Sequence, residues 1–165
     1  MATTHTQEVD VAAALERISA QRSVSRLLAV ASAELAGLLG AQSVSVSRVI
    51  GDLLVELAHH ERSGKELPLE LFLVTDYPLT QEVIDERVPR IVQRADPGAD
   101  PAESELLGRL GFDSLLMLPL RSRGQSWGLV EAYGDAAAFA PAAVEAATAI
   151  VAELGEVLAA LEGRG

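Results

Sequence analysis

No cysteine occurs among the 165 residues. That excludes disulfides, thiolate catalysis, cysteine-based zinc sites and thioether-linked cofactors. It also fits a reducing compartment, so a cytoplasmic location is expected. Aromatic residues make up only 4% of a chain that is 49% apolar, so alanine, leucine and valine must build the core. Basic residues are scarce too: 13 against 24 acidic ones, for a net charge of −11. Such a balance repels phosphate backbones and anionic bilayers, so neither nucleic acid nor membrane is an expected partner, although a local basic pocket for a small anion remains compatible. No run approaches the roughly 18 apolar residues that a membrane-spanning helix requires. The opening "MATTHTQEVDVAAALERISA" lacks the charged-then-apolar pattern of a secretion signal. Missing as well are a Gly-x-Ser-x-Gly elbow, a phosphate-binding glycine loop, a dinucleotide fingerprint and a His-Glu-x-x-His pair. With no convincingly placed acid–base pair, the expectation is a protein that is not an enzyme.

What the chain does contain is clear periodicity. Residues 7–21 read as a helix with Val11, Leu15 and Ile18 on one stripe. Val24, Leu28, Ala31, Leu35 and Leu38 recur at four-three spacing, a second amphipathic helix that Gly40 stops. "SVSVSRVI" alternates with period two, "GD" at Gly51–Asp52 is a tight turn, and "LLVELAH" returns as a second strand. "LELFLVT" (Leu69–Thr75) predicts a third strand, "YPLTQEVIDER" a short helix with Val83 and Ile84 inward, and "VPRIVQRA" an edge strand. Asp100, Pro101 and Glu103 together spell a helix start, with Asp100 as N-cap and Glu103 completing a capping box; Gly111 ends that helix. A hairpin follows: Ser114–Leu120, a turn around Gly124, then Trp127–Gly134. From Pro141 to about Glu162 runs a long helix bearing one stripe of Val144, Ala147, Val151, Leu154, Leu158 and Leu161 and a second of Ile150 and Val157. Two stripes predict packing on its own sheet and on a partner helix. Hairpins with segregated helices imply an antiparallel α+β fold.

The last hairpin carries the argument about function. Ser114–Leu120 is apolar without alternation, as in a strand covered on both faces. In the next strand, Trp127, Leu129, Glu131 and Tyr133 share one face, and Gly128, Val130, Ala132 and Gly134 the other. If Val44 and Val46 join the small face against helices, Ser45 and Ser47 lie beside Glu131. A polar floor of Ser45, Ser47 and Glu131, walled by Trp127 and Leu129, is what a small-molecule pocket needs.

"DYPLT", "RADPGADPAESELLGRLGFDSLLMLPLRSRGQSWGLVEAYGD" and Phe139 at the mouth of the last helix, in that order, resemble GAF domains, in particular those of actinobacterial signalling proteins. The resemblance spans roughly residues 24–161 and implies an N-terminal helical extension (1–22) followed by the domain itself (23–163). It implies a six-stranded antiparallel sheet with terminal helices on one face, and segments 60–111 enclosing a pocket on the other. It further implies a sensor that dimerises through its terminal helices and relays ligand state to an output domain or partner protein, either as a stand-alone protein or as an excised module. Family members bind cyclic nucleotides, bilins, haem, amino acids or nothing known, so the cofactor is left unknown. Cyclic-nucleotide members carry an Asn-Lys-Phe-Asp-Glu motif. Here "GDAAAFAPAAVEAA" keeps Asp135, Phe139 and Glu145 but lacks the Asn-Lys pair. Bilin-binding and methionine-sulfoxide-reducing members need cysteines, and this chain has none.

The candidate ligand residues are Glu131, Trp127, Tyr77, Thr80, Ser114, Ser45, Ser47 and Arg94. Each has a plainer role open to it. Glu131 is explained by water or by an arginine (Arg48, Arg94 or Arg121), Thr80 by capping the short helix, Arg94 with Arg90 by solvated edge charge, and Trp127 by the core. His59 and His60 point to opposite faces of a strand, so they cannot chelate one metal together, but either could ligate haem iron. The competing reading of the whole is a dimerisation or interaction scaffold with a filled pocket.

Overall fold

The computed structural model describes residues 2–67 and 71–163, with side chains from Asp10 onward. Two helices come first, α1 (Ala2–Ser19) and α2 (Val24–Leu39). Ser23 caps α2 by accepting from the Arg26 N–H, and Gly40 closes it at φ +62. Strands β1 (Ser43–Ile50) and β2 (Leu53–Glu61) form the first hairpin. The predicted third strand shrinks to β3 (Phe72–Leu73), followed by a single 3₁₀ turn over Val74–Asp76. Residues 68–70 of that prediction lie outside the described residues. Next come α3 (Pro78–Glu86), β4 (Arg90–Gln93) and α4 (Pro101–Leu110). The hairpin β5 (Ser114–Ser122) and β6 (Gln125–Gly134) and the helix α5 (Pro141–Glu162) complete the order.

The six strands form one antiparallel sheet in the order β3-β2-β1-β6-β5-β4. Its two faces have different owners. Val44, Val46, Leu116, Leu118, Leu120, Val130 and Ala132 pack with Ile18 of α1, Leu28 and Leu35 of α2, and Ile150, Leu154 and Leu158 of α5. On the reverse, Leu54, Leu115, Met117, Leu129 and Tyr133 meet Val83 and Ile84 of α3, Leu107 of α4 and Phe112. The run Leu115–Leu118 lacks alternation because its odd and even members both face hydrocarbon. Ile150 is fully buried in the helix-side core, and Val157 packs against that core. The second stripe of α5 thus reaches the core shared with α1 and α2, with Val157 still half-buried at its edge.

Each hairpin contains one extra residue. In the first, pairing runs Ile50 with Leu53 and Ser47 with Glu56, then jumps to Val46 with Ala58, leaving Leu57 over. In the second, Arg121 pairs with Ser126 but Leu120 with Gly128, leaving Trp127 over. Such bulges re-aim the side chains around them. A β-carbon at Gly128 would lie 2.0 Å from the Ser47 carbonyl oxygen, so only glycine fits beside the second bulge. At the tip of that hairpin Arg123 (φ 56) and Gly124 (φ 73) form the doubly left-handed turn that suits two-residue loops.

Candidate functional site

The valine face of β1 meets the helices, so its serine face must meet the covering segments. Ser45 pairs directly with Glu131 of β6 and, on the other side, with His59 of β2; Ser43 pairs with Glu61 and Ser47 with Glu56. These cross-strand rows form the floor of a cavity of about 250 Å³. Ser45, Ser47, Glu56, His59, Glu61, Glu131 and Tyr133 supply its polar lining, and Leu54, Leu67, Phe72 and Leu110 its apolar walls. Lys65 also reaches the lining; its ammonium donates to the Gly111 carbonyl and lies 4.4 Å from the centre of the Phe112 ring.

Glu131 is only 7% exposed. Its Oε2 accepts from the Tyr133 hydroxyl at 3.1 Å. Burial, reinforced by the neighbouring Glu103 and by Glu56 and only partly offset by the Tyr133 hydrogen bond, pushes its carboxyl up to about 8. Arg48 stacks on Trp127 and Arg94 lies over Gly108, so neither pairs with it. A narrow crevice beside the chamber joins Glu131 to Phe72, Tyr77, Thr80, Glu103 and Leu106. There Glu103 is 1% exposed and accepts a hydrogen bond from Thr80 Oγ1, and burial raises its carboxyl as well.

His59 lies between two carboxylates, Nδ1 at 2.9 Å from Glu56 Oε1 and Nε2 at 2.9 Å from Glu61 Oε1, with Ser43 Oγ at 3.2 Å from Nε2. The Glu56 bond, opposed by partial burial and helped by Glu61, raises the imidazole to about 9, so it is an imidazolium at neutral pH. Burial works against the charge of Glu61, but hydrogen bonds from Ser63, His59 and Ser43 outweigh it and hold that carboxyl low.

The predicted residues therefore divide. Ser45, Ser47 and Glu131 share the chamber floor, and Tyr77 and Thr80 stand in the crevice next to Glu131. Thr80 does not cap α3, which begins two residues earlier at Pro78; its hydroxyl goes to Glu103. The capping box at α4 is correspondingly half made: Asp100 accepts from the Glu103 N–H at 3.1 Å, while the Glu103 carboxyl turns inward. Trp127 is not a chamber wall. The bulge rotates it into the helix-side core, where its indole N–H donates to Glu162 at 3.0 Å and Arg48 stacks 5.0 Å from its ring centre. Ser114 donates to the Asp135 carbonyl at 2.6 Å and takes no part in the lining. Arg94 is exposed beyond β4, its guanidinium lying over Gly108 of α4, while Arg90 pairs with Glu82 at 2.7 Å. With both ring nitrogens of His59 held by carboxylates, that residue does not present one to a haem iron.

Glu56, His59 and Glu61 are the chamber residues that sequence reasoning missed. The two-residue turn at Gly51–Asp52 was the available signal, since it alone pairs Ser47 with Glu56. The Leu57 bulge hid the rest, because without it Ser45 would face Ala58 instead of His59.

A doubly covered antiparallel sheet with a lined chamber on one face defines a pocket-bearing α+β module. The chain belongs to the GAF domain family, whose model matches residues 23–158. No curated protein matches it. Among solved structures it is similar to the chromophore-binding domain of a bacteriophytochrome from R. palustris (TM-score 0.83, 16% identity, 94% of this chain and 62% of that one). It is also similar to the phytochrome photosensory core module of Stigmatella aurantiaca (TM-score 0.83, 19% identity, 97% and 37%). A phycocyanobilin-bound GAF domain from a cyanobacterial phytochrome matches end to end (TM-score 0.80, 20% identity, 96% of each). The chain thus spans less than two thirds of the first two, and at these identities the likeness concerns the fold.

Proposed function

We propose that this chain is a small-molecule-sensing GAF module that passes ligand state through its terminal helices to a signalling output. The carrying observation is the chamber: about 250 Å³, with a carboxyl, two serine hydroxyls and a tyrosine at its floor and apolar walls around them. Pockets for drug-sized ligands run from roughly 300 to 1,000 Å³, so the ligand is small. A covalently held bilin, as a cysteine would anchor it, does not suit a chain without cysteine. The reading is of binding, not catalysis. Ser43, His59 and Glu56 stand in a row resembling a nucleophile, base and orienting acid, but Ser43 is 0% exposed and a protonated His59 has no lone pair to take its proton.

Coupling has a short path. Ser45 on the chamber floor alternates with Val44 and Val46 in the α2 and α5 core, so strain on one face of β1 reaches the other. Val157 and Leu161 of α5, half-buried beside Gln21 and Arg22, offer the contact through which two copies would dimerise. The reading is tested by native mass spectrometry of protein purified without added ligand, and by hydrogen exchange across a metabolite library. A bound metabolite should slow exchange in segments 60–111 and in α5. An adduct-free protein with unchanged exchange throughout would instead support the scaffold reading. Sedimentation at micromolar concentration should show a dimer; a strict monomer would overturn that part.

A further inference from the structure

The chamber has an electrostatic need that its own side chains leave unmet. Glu131 sits more than nine-tenths buried at the floor, and the charged neighbours that act on it are carboxylates, Glu103 and Glu56. The cations nearby are otherwise engaged: His59 lies between Glu56 and Glu61, and Lys65 donates to the Gly111 carbonyl. A buried carboxylate must pair, protonate or recruit a cation. Tyr133 satisfies Oε2 with one hydrogen bond, leaving the carboxyl facing an open volume with aliphatic and aromatic walls.

We propose that the chamber takes a small primary amine with an apolar tail, its ammonium against Glu131 and its tail along Leu54, Leu67, Phe72 and Leu110. This rests on the sensing reading and specifies its ligand class. The ammonium keeps its proton, and the Glu131 carboxyl releases its own to solvent as the ion pair forms. The serine hydroxyls of Ser45 and Ser47 accept the remaining N–H bonds. Glu56 and Glu61 are matched by His59, so Glu131 is the carboxyl left to choose the head group, and it favours a cation over an anion. A neutral tail-bearing molecule would gain the walls but leave Glu131 as it stands.

Hexylamine, hexanol and hexanoate carry the same tail with a positive, neutral or negative head, and separate these cases. Calorimetry on the whole chain should find hexylamine binding at least tenfold tighter than either of the others. At pH 7, in buffers of differing ionisation heat, its binding should release close to one proton. The affinity should strengthen nearly tenfold from pH 6 to pH 7 and level off above pH 8. The groups facing this carboxyl are Glu56, His59 and Glu61 of β2, Lys65 of the following segment, Tyr133 of β6, and Glu103 of α4 across Thr80 of α3. Glu131→Gln, nearly isosteric, should lose the binding, the proton release and the pH slope together. If that variant fails to fold, the ranking of the three head groups on the unaltered protein still decides. Equal binding of hexanol, preference for hexanoate, or no binding of the three overturns the amine assignment. Hexanol or hexanoate binding in the chamber would do so while leaving the sensing reading standing; that reading falls on the library experiment above.

Discussion

The two faces of this sheet are built from alternate residues of the same strands, yet they solve opposite problems. Against α1, α2 and α5 the sheet presents valine, leucine and alanine, and the approach is close. A β-carbon at Gly155 of α5 would come within 2.0 Å of the Arg121 carbonyl oxygen. On the reverse, one residue along, the strands present Ser45, Ser47, His59 and Glu131 around open volume. Dense packing on one side supplies the stability that the other side gives up by burying carboxyls. Local strain and unfilled space tend to collect at functional sites for this reason.

The largest effects should come from the packed face. Leu158→Glu places a charge at a fully buried position of α5, and Gly155→Val drives a side chain into β5. Each is expected to cost more than about 4 kcal/mol and to leave the chain unfolded by circular dichroism at 25 °C. A folded, merely monomeric Leu158→Glu protein would mean that α5 faces a partner instead of its own sheet.

The chamber face should respond in the other direction. The folded Glu131 carboxyl titrates at about 8 against an ordinary value of 4.5. The native state therefore holds a proton that the unfolded chain gives up between those values. Stability from this group is complete below about 4.5 and declines as pH rises through 8. Glu131→Gln should leave the melting temperature unchanged near pH 4 and raise stability by on the order of a few kcal/mol at pH 8, measured by denaturant titration. An unchanged pH slope would show that the carboxyl is ionised and compensated in the native protein.

A smaller contribution with the same sign belongs to His59. Its imidazolium is retained to about 9, against an ordinary 6.5, so its stabilising effect is full below 6.5 and fades as pH rises through 9. His59→Gln should flatten that upper part of the stability profile, and NMR titration of the ring should place the pKa well above 7. The smallest change is expected for Ser45→Ala, within about 0.5 kcal/mol, since it removes a hydroxyl that borders open volume. A large loss there would mean that the floor is structural.

Much of this was legible in order along the chain. The period-two run of Ser43–Ile50 and the four-three spacing after Ser23 named their elements, and Pro141–Glu162 was bounded by its own proline and the end of its apolar stripe. The division of valines from serines on β1 placed Ser45 beside Glu131 as cross-strand partners. Strict alternation failed at one residue in each hairpin. Trp127 reads as a chamber wall by counting and is carried to the helix side by its bulge. His59 reads as a strand-end residue and is carried onto the floor by the Leu57 bulge.

Pattern alone determined that a two-faced antiparallel sheet would form, because hydrophobic period and turn glycines are local properties that each segment carries with it. It also determined the excess of acid and the lack of thiol that bound the chemistry. Which side chains share the chamber, and that Glu131 has carboxylates instead of an arginine for neighbours, only the tertiary structure decided. Register across a bulge, and the dielectric and charge around a buried group, are set by segments far apart in the chain and exist only once they have packed together.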